Sequence, residues 1–312
     1  MKEKITTAFW NEVAEPDDPY SAERCYCSGY DVYGELVQKA DSLDYLYLLF
    51  KHKRPTREQR ALLNVLAIAI ANPGPREHSV QAAMCAGAGG SGAAASLMAA
   101  ISVGAGNLGG AREVFHVMQA WECCGNDLQR WREHLSVYSE MDSSASDVRE
   151  SSGDVWLPLE HPPGFAPHGL RCTQPVKQTL TQLVECYKEH RRDSHGGEHT
   201  FWLQQYREEL EIVVKMPLAM TGVIAAAMLD LEFDAEQGEM LALLLRLPGA
   251  AAHALEQRER GWKSYPFHGD DLTVINDPGC NPSQKKPPKH RSQEDSDRQR
   301  KSPVGQANAS GI

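Results

Sequence analysis

The chain has 312 residues, 41% of them apolar, and a net charge of −10. That is enough apolar material for one large core or two domains, while the acidic balance argues against nucleic acid as a main partner. Eight cysteines, at 25, 27, 85, 123, 124, 172, 186 and 280, show neither the density of a secreted disulfide scaffold nor zinc-ligand spacing. They are read as free, mostly buried thiols of a cytoplasmic protein. No apolar run follows the charged first residues, so no signal segment is expected.

Residues 1–28 read as irregular, with Trp10 as an anchor. Val32, Leu36, Leu43, Leu46 and Phe50 have helical spacing, so Tyr30–Phe50 is expected to be helical. Thr56 with Gln59 three residues on is a capping box for a helix running to about Ala71, and Asn72-Pro73-Gly74-Pro75 ends it. Residues 78–111 then contain no Asp, Glu, Lys or Arg and hold eight glycines among alanines and serines. The run has the length of a membrane span but too little Leu, Ile, Val and Phe to be one. Each helical Gly costs about 1 kcal/mol against Ala, which a chain bears where backbones pack closely or face a ligand. The expectation is a pair of deeply buried small-residue helices, with Gly104–Gly106 and Gly109–Gly110 forming a turn beside a site.

A helix is expected from about Gly110 to Ala120, another over 127–139, and a polar loop over 141–154. His161-Pro-Pro-Gly-Phe-Ala-Pro-His168 cannot be helical. Helices resume at 174–190, 199–214, 217–231 and 235–246; Pro248-Gly249 is expected to break the chain before a last helix over about 250–261. Leu272–Ile275 is the single strand signal. From 281 the chain has seven Lys or Arg, three Asp or Glu and almost nothing apolar, so a disordered basic tail is expected over 281–312. His195 and His199, four apart, are separated by two glycines and have no third ligand nearby, so no metal site is read there.

Four segments resemble the citrate synthase superfamily, above all its citryl-CoA lyase members and the C-terminal lyase module of ATP-citrate lyase. Asn72-Pro-Gly-Pro75 and Gly109-Gly110-Ala111 are similar to the family's Asp-His-Gly-Pro and Gly-Gly-Ala. Gly164-Phe165-Ala166-Pro167 resembles its Gly-Phe-Gly-His loop, with Pro175 at the offset of the following Asp-Pro-Arg. Ala219-Met220-Thr221-Gly222 resembles Asn-Val-Asp-Gly. Arg246-Leu-Pro-Gly-Ala-Ala-Ala-His253-Ala-Leu-Glu-Gln257 resembles Arg-x-x-Gly-x-x-x-His-x-x-(Asp/Glu)-Gln. Their order and rough spacing agree over about residues 5–278.

The resemblance implies an all-α, citrate-synthase-like, two-domain helical fold over residues 1–280. A large domain would run from 1 to about 160 plus about 250–280, with a small subdomain over about 160–250. It also implies a homodimer in which the small-residue helices meet. The substrate would be a coenzyme A thioester with a tricarboxylate, and neither metal, bound cofactor, nucleic acid nor membrane is implied. Family chemistry makes or breaks a C–C bond beside a thioester, with one carboxylate as base and two histidines as donors.

At those points the chain departs from the family. The first His falls on Pro73, the loop His on Pro167 with His168 one place later, and the Asp on Thr221. Pro offers no side-chain donor or acceptor, and Thr is no base near neutral pH. Arg246 falls on the Arg that holds a citrate carboxylate, Gly164 and Phe165 on the CoA-side loop, and His253 on the helix His. Arg246 also reads as a solvent-facing helical Arg, His253 as a packed helix residue, and His168 as a displaced catalytic His. Two functions stay open: a citryl-CoA lyase or citrate synthase-like protein with a degraded acid–base set, or a non-catalytic CoA- or tricarboxylate-binding partner of an active paralogue.

Overall fold

Several helix starts in this chain are set by a side-chain oxygen that answers the free N–H groups of the first turn. In the computed structural model, which describes residues 7–148, 161–190 and 197–265, Asp41 caps α2 (Ser42–Lys51), accepting from Leu43 N at 3.0 Å and Asp44 N at 2.8 Å. Thr56 and Gln59 form the expected capping box of α3 (Arg57–Ala71), and Asp234 with Gln237 forms a second at α11 (Ala235–Arg260). Between them come α4 (His78–Ala88), α5 (Ala93–Gly104), α6 (Ala111–Cys124), α7 (Leu128–Val148), α8 (Gln174–His190), α9 (Glu198–Val214) and α10 (Met220–Asp230).

The chain starts differently from its sequence reading. Trp10–Ala14 (β1), Ala22–Cys27 (β2) and Tyr30–Asp31 (β3) form a small antiparallel sheet, with Trp10 opposite Cys27 and a bulge at Val13/Ala14. Its strands are mostly exposed, so no apolar alternation marks them. The helix expected over Tyr30–Phe50 is split. A π-helical turn (Val32–Leu36) and a short α1 (Val37–Lys39) end at the extended Ala40 before α2. The loop expected over 141–154 is helical as far as Val148. The strand signal at Leu272–Ile275 and the tail from 281 lie outside the described residues.

α10 is the centre of the molecule. Val223, Ile224, Ala225, Ala226, Ala227 and Met228 are all fully buried, as expected of a helix apolar on every side. α3, α6, α8 and α9 pack around it, and α11 runs past α3, α4, α5 and α6. α11 is continuous through Pro248, where a break was expected. Pro248 is exposed and Leu244, whose carbonyl loses its partner, lies on the same open side, so water can satisfy that carbonyl.

α4 and α5 do pair closely, and α4 lies tightly on α11: a Cβ at Gly87 would meet the Ala254 carbonyl. They are not deeply buried. One face of α5 is open, with Met98, Ile101 and Val103 exposed. No described helix is long and apolar enough to cross a membrane.

The crossing of α11 with the end of α3 yields a first test. A Cβ at Gly249 would meet the Ala71 carbonyl and sit 2.6 Å from Asn72 Cα. Helix propensity favours Ala over Gly by about 1 kcal/mol, but backbone cannot yield as a side chain does. Gly249→Ala is therefore expected to destabilise, by roughly 1–3 kcal/mol. A urea midpoint equal to or above that of the wild type would contradict the tight crossing.

Candidate functional site

Glu113 lies in the first turn of α6, on the same face as Val117, Ala120 and Cys124, and is 1% exposed. Its carboxylate is nevertheless well answered. Oε2 accepts from the Gly109 N–H at 2.6 Å, and Oε1 accepts from the Gly164 N–H at 2.7 Å and from the Thr221 hydroxyl at 2.9 Å. Charge-assisted bonds of this kind, together with the positive end of a helix, are what make a buried carboxylate tolerable. Three of the family-like segments are thus tied to one side chain.

The Gly164 loop and the start of α10 cross at backbone contact. Gly164 has φ +89°, and a Cβ there would lie 3.0 Å from Val117 Cγ2 and 3.3 Å from Gly222 Cα. A Cβ at Gly222 would lie 2.8 Å from Leu218 Cδ1 and 2.9 Å from the Gly164 carbonyl oxygen. Ala166 N donates to Pro217 O at 2.8 Å, and Ala219 N donates to Gly164 O at 2.8 Å. Phe165 is buried in a bridge with Leu218.

Arg246 completes the centre. It is 7% exposed, which removes the reading of a solvent-facing helical Arg. Its Nη1 and Nη2 both donate to the Gly109 carbonyl at 3.2 Å, and Nη1 lies 3.7 Å from Glu77 Oε1. Burial pushes its guanidinium below the ordinary range, against the pull of Glu77 and Glu113. Glu77 faces two ways, since its Oε2 caps α4 at Ser79 N (2.9 Å) and Val80 N (3.1 Å). Arg246 Nε has no hydrogen-bond partner among the described residues.

The remaining sequence candidates lie around this centre. His253 is half-buried; its Nε2 is 3.1 Å from Asn72 Oδ1 and its Nδ1 is 3.4 Å from Glu256 Oε2, so it ties α11 to the end of α3. Thr221 is buried beside Glu113, Pro167 is half-buried, and Pro73 and His168 are exposed. His199 lies 2.8 Å from Asp230 Oδ1, and Asp230 also accepts from the His199 and Thr200 N–H groups. That makes His199 part of the start of α9; His195 is outside the described residues. No group of three or more His, Cys, Asp or Glu arranged to hold a metal occurs among the described residues.

Sequence reasoning missed Glu113, Glu77 and His161. Glu113 had a signal: an acid at helical spacing with Val117 and Cys124 occupies a core-facing position. His161 is 5% exposed, and its Nε2 has no hydrogen-bond partner and stands 3.8 Å from Glu113 Oε2. No local pattern announced that placement.

Comparison with known proteins defines the class. No protein-family model matches the sequence, and no curated protein matches it at the level of sequence. Solved structures do match its fold. Citryl-CoA lyase from Hydrogenobacter thermophilus aligns over 94% of this chain and 100% of its own, at 16% identity and TM-score 0.60. ATP citrate lyase from Methanothrix soehngenii, solved in complex with citrate and coenzyme A, aligns over 88% of this chain and 42% of its own, at 17% identity and TM-score 0.59. Citrate synthase from Thermotoga maritima aligns over 74% of this chain and 59% of its own, at 17% identity and TM-score 0.50. The chain therefore has the helical fold of the citrate synthase superfamily. Of these three, the citryl-CoA lyase is the one whose whole length it matches.

Replacing the Glu113 carboxylate tests the centre. Its two oxygens both accept, so the single acceptor of an amide must leave one main-chain N–H facing an NH₂ group. Glu113→Gln is expected to cost about 1–3 kcal/mol, and Glu113→Ala roughly 3–5 kcal/mol, because Arg246 also loses a buried counter-charge. Chemical denaturation of both variants measures this; a Glu113→Ala protein as stable as the wild type would contradict it.

Proposed function

We propose that the chain is a citryl-CoA lyase or citrate synthase-like protein of acyl-CoA carbon–carbon bond chemistry, working with a reduced acid–base set. The observation that carries this reading is at Thr221. A hydroxyl stands where the family-like motif has a carboxylate, and it is already committed to Glu113 at 2.9 Å. Pro73 and Pro167 remove two further proton-handling groups. A positioned acid or base is typically worth roughly 10²–10⁴-fold, and losses among groups that act together do not multiply. Slow turnover supported mainly by binding is the consequence.

In this reading the ligands are a coenzyme A thioester and a tricarboxylate, supported by the citrate and coenzyme A with which the ATP citrate lyase structure was solved. Gly164 and Phe165 lie on the CoA side and Arg246 on the carboxylate side. The site lies where a small subdomain over about 160–250 meets the rest of the chain, in a cytoplasmic protein. One observation favours the second reading, a non-catalytic binder that partners a paralogue: Arg246 is already engaged by the Gly109 carbonyl and Glu77.

Ligand binding separates these from an unrelated use of the fold. Citrate at 100 times its dissociation constant stabilises a protein by about 2.7 kcal/mol, and each kcal/mol raises the melting temperature by about 2–4 °C at this size. Arg246→Lys, which keeps the charge but loses the two-pronged fork, is expected to shrink that shift. No shift with citrate would remove the tricarboxylate reading, and fast citryl-CoA cleavage by the wild-type chain would remove the reduced acid–base set.

The dimer is proposed on the open face of α5. Met98, Ile101, Val103 and Leu108 are exposed there, and Met240, Leu244 and Leu255 are exposed on α11, which α5 packs against. Such a surface is a common mark of an interface. Ala95 is exposed, so Ala95→Glu leaves a lone chain undisturbed but puts a charge into a pairing face. Light scattering is expected to find a dimer in the wild type and a monomer in Ala95→Glu. A wild-type monomer at micromolar concentration would remove the proposal.

A further inference from the structure

Resting on the acyl-CoA reading above, we propose that His161, with Glu113 as its orienting carboxylate, is the proton-handling pair of this site. It would take the place of the loop histidine that Pro167 replaces. The two side chains are 5% and 1% exposed, and His161 Nε2 stands 3.8 Å from Glu113 Oε2 with no hydrogen-bond partner. A buried imidazole nitrogen without a partner is costly, and such groups are often held for use at a site. Hydrogen bonds of this kind are frequently long in the free protein and tighten when a ligand binds.

His161 starts the loop that continues through Gly164, whose N–H is itself on Glu113. Ring and carboxylate are therefore held by the same short segment. Pro163, two residues on, borders a cavity of about 210 Å³ shared with Val117, His116 and His134. His168 is exposed and lies beyond the pinned stretch Gly164–Ala166.

The step is a proton transfer. With Nε2–H directed at Glu113, Nδ1 of the neutral imidazole takes a proton from the methyl carbon next to the thioester carbonyl. The C–H pair becomes the C=C bond of the enolate, and the carbonyl π pair moves onto oxygen. The imidazolium is stabilised by Glu113, exchanges its proton with solvent and returns one to carbon. No oxidant, metal or second substrate is consumed.

In D₂O this chemistry replaces hydrogen by deuterium in the methyl group of acetyl-CoA, which NMR follows directly on the full chain. Wild type is expected to exchange the methyl group at least tenfold faster than buffer. His161→Ala and His161→Gln are expected to fall to the buffer rate, the second keeping ring-sized packing should the first unfold. The citrate-induced thermal shift is expected to survive in both. Exchange at the buffer rate in wild type, with the citrate shift present, overturns the His161 assignment and leaves the ligand reading standing; absence of both overturns the two together. Exchange that persists in His161→Gln and vanishes in His168→Ala gives the role to His168 and overturns the proposal.

Discussion

A single buried carboxylate organises this molecule's centre. Glu113 binds the turn before its own helix through Gly109, the Pro-Gly loop through Gly164, and the first turn of α10 through Thr221. Those three points are 55 and 57 positions apart along the chain at Gly109 to Gly164 and Gly164 to Thr221. No backbone ladder joins them to Glu113. The carboxylate does so because it accepts several bonds at once from donors that would otherwise be buried without partners. Arg246 adds the positive charge nearby and donates to the Gly109 carbonyl. Gly109 is thus held through both of its main-chain groups, its N–H by a carboxylate and its C=O by a guanidinium.

That arrangement needs backbones closer together than side chains allow. Gly164 against Gly222, Gly249 against Asn72, and Gly87 against Ala254 are three places where even a methyl group would meet backbone. The glycines of the chain serve different ends. Some end helices in turns, such as Gly74 and Gly125 with positive φ. Others let segments cross closely, and Gly164 against Gly222 does so where the bonds to Glu113 are made. The loss of helix propensity at these positions, about 1 kcal/mol each, is offset by bonds that could not otherwise form.

The helical fold was legible because its signals are local. Thr56 with Gln59, the apolar spacing of α3 and α8, and the stop at Asn72–Pro75 each follow from a few neighbouring residues. The small sheet was not legible, since β1 and β2 are mostly exposed and carry no period of two. The continuity of α11 was missed because Pro248 is usually a breaker, and only the exposure of its surroundings makes it tolerable. At the candidate site, Arg246 and Thr221 were singled out by resemblance. Glu113 was visible only as an acid on an apolar helix face. His161 depends on a loop path that brings it back to α6, which no spacing reveals.

The pairing of Thr221 with Glu113 has its own chemical logic. Two carboxylates at hydrogen-bond distance in a buried site cannot both be ionised, and one of them holds a proton. A hydroxyl at 221 sets up no such conflict, because it donates to Glu113 and carries no charge of its own. Glu113 also accepts from two main-chain N–H groups and lies 3.8 Å from His161 Nε2. The carboxylate of this centre stands at the start of α6, and a hydroxyl that donates to it stands at the start of α10.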